Sequence, residues 1–137
     1  MAVFGLEVGA KEANRQALEI AAQVDRRLHT LGGRLKQELG WAADFVIHLH
    51  AGLAGVGETG DNATRTLAVV GKTIDDARQL AAQHNDRESA RIVLSEAVMI
   101  AAGLDTRAAN WSEIALGKDA RLRVTSIDRE GAQSVPL

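Results

Sequence analysis

Residues Phe45–Leu80 constrain the fold more tightly than any other part of the chain. Phe45, Ile47 and Leu49 alternate with Val46, His48 and His50, the period-two pattern of a strand with one buried face. Gly52, Gly55, Gly57 and Gly60 then punctuate a tight turn, and Arg65–Val70 reads as a second strand. Lys72-Thr73-Ile74-Asp75-Asp76 opens a helix directly after Gly71. The glycines follow no phosphate-loop spacing. Two neighbouring strands that deliver a helix N-terminus can nevertheless face a phosphate-bearing ligand, because free backbone N–H groups there attract anions.

The flanking segments fill in an α+β chain. Met1–Leu6 is a short apolar run read as a strand, and Val8-Gly9 turns into a helix from about Ala10. Ala13, Ala17, Ile20, Ala21, Val24, Leu28, Leu31, Leu35 and Leu39 recur at three- and four-residue steps, the spacing of an amphipathic helix. Arg15, Glu19, Asp25, Arg26, Arg34 and Lys36 fall on the opposite side. The apolar spacing survives Gly32-Gly33, which predicts a continuous or mildly bent helix ending at Gly40 even though each glycine costs about 1 kcal/mol against Ala. Beyond the central stretch, the helix from Thr73 is expected to reach about His84 and stop in the polar cluster His84-Asn85-Asp86-Arg87. Ala90–Leu94 reads as a strand, Ser95-Glu96 as an N-cap, and Ala97–Ala102 as a short helix closed by Gly103. Trp111–Leu116, Gly117-Lys118-Asp119 and Ala120–Ile127 form a hairpin pattern. One domain is expected over 1–127, with a disordered tail over 128–137.

Ile47-His48-Leu49-His50-Ala51-Gly52 resembles the I-G-I-H-x-G strand of class III adenylate/guanylate cyclase catalytic domains. Val69-Val70-Gly71-Lys72-Thr73-Ile74-Asp75 resembles the V-x-G-D-x-V-N segment that follows it there, and Met1-Ala2-Val3-Phe4-Gly5 the M-A-x-F-G after a metal-binding hairpin. The order of elements is similar too. The resemblance implies a ferredoxin-like nucleotide cyclase fold truncated at its N-terminal part, since it covers nearly all of this chain but only the later part of a complete cyclase domain.

Members of that family convert ATP to 3′,5′-cyclic AMP and diphosphate for cyclic-nucleotide signalling. Two Mg or Mn ions held by two Asp residues activate the ribose 3′-oxygen and neutralise the triphosphate. Both Asp positions fall before Met1, so the resemblance implies no metal ligands or cofactor in this chain and no activity for it alone. Asp75 stands at the family's ribose-orienting Asn, and Gln79 at the Arg that stabilises transition-state charge; both are substitutions. Ala68 stands at a purine-reading position and cannot hydrogen-bond a base edge. Lys118 matches a position where the family often places a triphosphate-binding lysine, and Arg78 is one residue from the Arg position, about 100° around the helix. The two readings are therefore a fragment of an adenylate cyclase-like lineage and a non-catalytic dimerisation or regulatory module. The family's head-to-tail dimers imply a homodimer here. Met1–Leu6 and Phe45–His50, which flank the domain's first strand in the family, would either pair directly or admit a second copy.

Each residue also has a plainer reading. His48 and His50 share a strand face and could form half a zinc site with His29 or His84, although no second paired motif accompanies them and a structural role suits His50. Asp75 and Asp76 could be metal ligands, but Asp in the first turn of a helix is favoured by its dipole, so capping is the plainer reading. Lys72 and Arg65 fit solvated surface charges as well as a phosphate cradle, and Trp41 and Trp111 fit core anchors. The chain has 16 basic and 18 acidic residues, so nothing favours nucleic acid or an acidic membrane. It has no cysteine, which removes thiol chemistry and suits a cytoplasmic protein. Its apolar runs are too short for a membrane span.

Overall fold

A computed structural model describes residues 1–61, 63–83 and 90–128. In chain order the elements are α1 (Ala10–Leu39), β1 (Ile47–Leu49), β2 (Gly55–Thr59), β3 (Thr66–Val70), α2 (Lys72–Ala82), β4 (Ala90–Ser95), α3 (Glu96–Ala102), β5 (Ser112–Leu116) and β6 (Ala120–Asp128). The chain is α+β with a mixed four-stranded sheet in the order β1-β4-β6-β5 and a separate β2-β3 hairpin. β1 runs parallel to β4, with Ile47 opposite Ile92, while β6 lies antiparallel to both β4 and β5.

β4 sits inside the sheet and explains its layers. Ile92, Val93 and Leu94 are all buried, the near-continuous apolar run of a strand covered on both faces. Ile92 and Leu94 join Ile47, Leu49 and Ile127 beneath Leu18 and Ala21 of α1 and Val98, Met99 and Ala102 of α3. Val93 faces the other way, with Val124, Leu122, Ile114 and Val46, against Leu80 of α2. Helices α1 and α3 therefore cover one face of the sheet and α2 the other.

Helix α1 keeps the predicted bounds and passes through Gly32-Gly33 unbroken. It closes at Gly40, whose left-handed φ of 69° lets its own N–H donate to the Lys36 carbonyl and the Trp41 N–H donate to that of Leu35. Asp25 departs from expectation. It lies on the buried side of α1, 4% exposed, where its carboxylate accepts from Arg91 Nε at 2.7 Å and its carbonyl from Arg91 Nη2 at 3.1 Å. The four-residue recurrence Ala13, Ala17, Ala21, Asp25 carries it onto the apolar stripe, and the pair ties α1 to β4. Breaking such a buried pair from one side costs about 3–5 kcal/mol.

Other differences concern strands and tryptophans. Met1–Leu6 forms no strand and, among the described residues, pairs neither with β1 nor with another segment. β1 is confined to Ile47–Leu49, inside the expected Phe45–His50. Gly55–Thr59, expected as part of a turn, pairs with β3 from Gly55↔Val70 to Thr59↔Thr66. Trp41 is 66% exposed and anchors no core. Trp111 does pack against the α1–α3 side, with its Nε1 donating to the Thr106 carbonyl at 3.0 Å and Arg123 stacked over the ring. α3 and the β5–β6 hairpin match the expected positions, and β6 extends to Asp128. His84 with the polar cluster after it, and residues 129–137 of the expected tail, lie outside the described residues. No helix among the described residues is long and apolar enough to cross a membrane.

Candidate functional site

The carboxyl ends of the parallel pair β1 and β4 meet the start of α2, the position at which open sheets with parallel strands place ligands. Gly71 makes the approach possible. Its φ of 141° and its position against Leu53 and Ala54 bring β3 into α2 at close range. Gly52 lies directly against Thr73, whose hydroxyl donates to the Leu53 carbonyl at 2.6 Å. The base of the hairpin is thereby fastened to the first turn of α2.

A chain of polar side chains runs inward from this point. Lys72 Nζ donates to both carboxylate oxygens of Asp76 at 2.7 Å, one helical turn on. Asp76 Oδ2 stands 3.9 Å from Nε2 of His50, just beyond β1. Nδ1 of His50 shares a 2.9 Å hydrogen bond with the Ser95 hydroxyl at the end of β4. Ser95 is fully buried, so its hydroxyl has no access to a substrate. Burial pushes the His50 imidazole below its ordinary value; Asp76 opposes that shift and Lys72 adds to it. His50 is accordingly neutral at pH 7, and the chain is a structural clasp between β1, β4 and α2.

The clasp reassigns two residues and gives a third a partner. Asp76 does not cap α2: Gly71 occupies the N-cap without a side-chain bond, and Asp76 holds Lys72 and faces His50. Ser95 has the extended backbone of an N-cap but makes no side-chain cap bond to α3. Lys72 keeps the exposed position expected of a surface charge and gains Asp76 as its partner. Spacing in the sequence made the Lys72–Asp76 pair accessible, as an i,i+4 match; the His50–Ser95 bond joins strands far apart in the chain and carries no local signal.

The residues singled out by resemblance are positioned as follows. Asp75 and Gln79 lie four residues apart on one exposed side of α2. Arg78 Nη1 stands 3.9 Å from Asp75 Oδ1, so the nearest guanidinium already faces a carboxylate. Ala68 is half-buried in β3, opposite Gly57. Lys118 is exposed in the β5–β6 turn, beside Gly117 with its φ of 66°. α2 packs against β1, β3 and β5, which places it between the strands that carry Ala68 and those that carry Lys118.

His29 is exposed on α1, on the sheet face opposite the His50 clasp, so these two histidines do not come together. Among the described residues no group of three or more His, Cys, Asp or Glu side chains is placed to hold a metal ion. Comparison of the chain with protein-family models, with curated proteins and with solved structures gave no match.

Proposed function

We propose that this chain is a class III cyclase-like domain that has lost nucleotide turnover and works as a regulatory, non-catalytic module. The observation that carries this reading is the state of α2. Its exposed side presents Asp75 and the uncharged Gln79 at the two family positions, while Lys72 is held by Asp76 and Arg78 stands 3.9 Å from Asp75. A triphosphate approaching this helix would meet a carboxylate at Asp75 and no guanidinium at the position of Gln79. Charge stabilisation supplies most of the catalysis in phosphoryl-type chemistry, so that arrangement opposes turnover. The β1–α2–β4 parallel crossover beside antiparallel β6 and β5 is compatible with a ferredoxin-like cyclase core. The sequence motifs around His50 and Gly71 support the same lineage.

The test is an assay of the purified chain with ATP or GTP and Mg²⁺ or Mn²⁺. No cyclic nucleotide above background is expected, and calorimetry is expected to show no micromolar ATP binding. Turnover that scales with the protein and disappears in Asp75→Ala would overturn the loss of activity. The double variant Asp75→Asn/Gln79→Arg restores the family's residues and is expected to bind ATP at least several-fold more tightly. Unchanged binding in that variant argues against cyclase-type geometry at α2.

A further inference from the structure

The clasp at the start of α2 sets one buried carboxylate between two groups that can carry a positive charge. Both oxygens of Asp76 accept from Lys72 Nζ at 2.7 Å. Its Oδ2 also faces Nε2 of His50 across 3.9 Å, just too far for a hydrogen bond. The two rivals differ in setting. The Lys72 side chain is 73% exposed, whereas that of His50 is 7% exposed and is anchored through Nδ1 to the Ser95 hydroxyl. Among the described residues, the charged or titratable groups facing His50 are Asp76 and Lys72 of α2 and, on its own strand face, His48. Arg91 of β4 and Arg123 of β6 are held elsewhere, by Asp25 and Glu96.

We propose that Asp76 changes partner when His50 takes up a proton: Oδ2 passes from Lys72 to Nε2 of His50, and the Lys72 ammonium is released into solvent. The exchange needs little movement. Nδ1–H then donates to the Ser95 hydroxyl and Nε2–H to Asp76, so both nitrogens of the imidazolium have acceptors. A buried imidazolium demands its counter-ion, whereas an exposed i,i+4 lysine loses little by returning to water. Burial keeps the imidazole neutral at pH 7, Asp76 works against that and Lys72 reinforces it, so the exchange belongs to acid conditions. Such coupling is reciprocal: Lys72 opposes protonation of His50 as strongly as protonation opposes the Lys72 contact. The first turn of α2 thereby gains one positive charge as pH falls, on the helix that carries Asp75 and Gln79. A proton becomes an input to the regulatory module, but the exchange rests on the clasp alone, and the result of a turnover assay does not bear on it.

The experiment is an NMR titration of the full chain from neutral pH downward, as far as circular dichroism stays native. It follows the His50 ring and the Lys72 Cε–Hε signals in the parent, in His50→Gln and in Lys72→Met. In the parent, the Lys72 signals are expected to move with the midpoint of the His50 ring. In His50→Gln they are expected to stay in place over the same range. Lys72→Met is expected to raise the His50 midpoint, because it removes the competitor for Asp76. Acylation of Lys72 relative to the exposed Lys118 in the same sample is expected to rise about twofold across the transition, the ratio that corresponds to losing one i,i+4 ion pair. Lys72 signals that ignore the His50 midpoint, or that move equally in His50→Gln, would overturn the proposal. So would a His50 midpoint unchanged in Lys72→Met, or a chain that unfolds before the ring titrates.

Discussion

The imidazole of His50 sits where its neutral form is the better fit, and a pH dependence follows. Burial, the largest influence, disfavours the cation; Asp76 partly offsets this and Lys72 reinforces it, so the folded pKa lies below the ordinary 6.5. Between those two values the unfolded chain binds more protons than the folded one. Stability therefore rises with pH across that window and falls as pH drops below about 6.5, until the folded pKa is passed. Urea midpoints for the parent are expected to decline from pH 7.5 to pH 5 more steeply than those of His50→Gln, and parallel profiles would contradict this. Ser95→Ala is expected to cost about 1–3 kcal/mol, because it leaves a buried ring nitrogen without its hydrogen bond. A structural histidine at this position was legible in the sequence, but its partner was not. Ser95 stands 45 positions away and looked like a helix cap, a role its backbone keeps while its hydroxyl turns elsewhere.

Among the elements, α1 separates two adjacent glycines that the sequence presents as equivalent. A Cβ on Gly33 meets nothing within 4 Å, whereas one on Gly32 comes within 3.0 Å of the Ala43 carbonyl oxygen. Gly33→Ala is therefore expected to stabilise the protein by about 0.5–1 kcal/mol, through the lower conformational entropy of the unfolded chain. Gly32→Ala is expected to gain less or to lose, since the segment returning from α1 must move. Thermal denaturation of the two variants checks the ordering, and equal gains would contradict it. The helix itself was readable end to end, because its Ala and Leu spacing and Gly40 are local signals. β2 was not, because Gly55 and Gly57 around a lone Val56 give no alternating apolar face; the strand exists through its pairing with β3. Asp25 was misplaced for a related reason: counting charges as exterior outweighed a spacing that pointed inward.

For the whole molecule, the sequence carried most of the element order and the pairing of Asp75 with Gln79 on one side of α2. It did not carry which helix covers which face, since that depends on β4 being buried on both sides. The parallel pair β1–β4 has a kinetic consequence. Ile47 meets Ile92 only after the β2–β3 hairpin and α2 have been threaded between them, whereas β5 and β6 close over the short turn at Gly117. Loop-closure entropy is lost before such a distant contact returns anything, so non-local parallel pairing is the slow part of a folding reaction. In stopped-flow refolding, truncations at Ile114 or Leu122 are expected to slow folding, and Ile47→Val to leave the folding rate nearly unchanged while speeding unfolding. The reverse pattern would place the early structure around β1. On this account a newly made chain holds its β5–β6 hairpin and α1 first, and the edge of β4 stays open to other chains until β1 docks onto it.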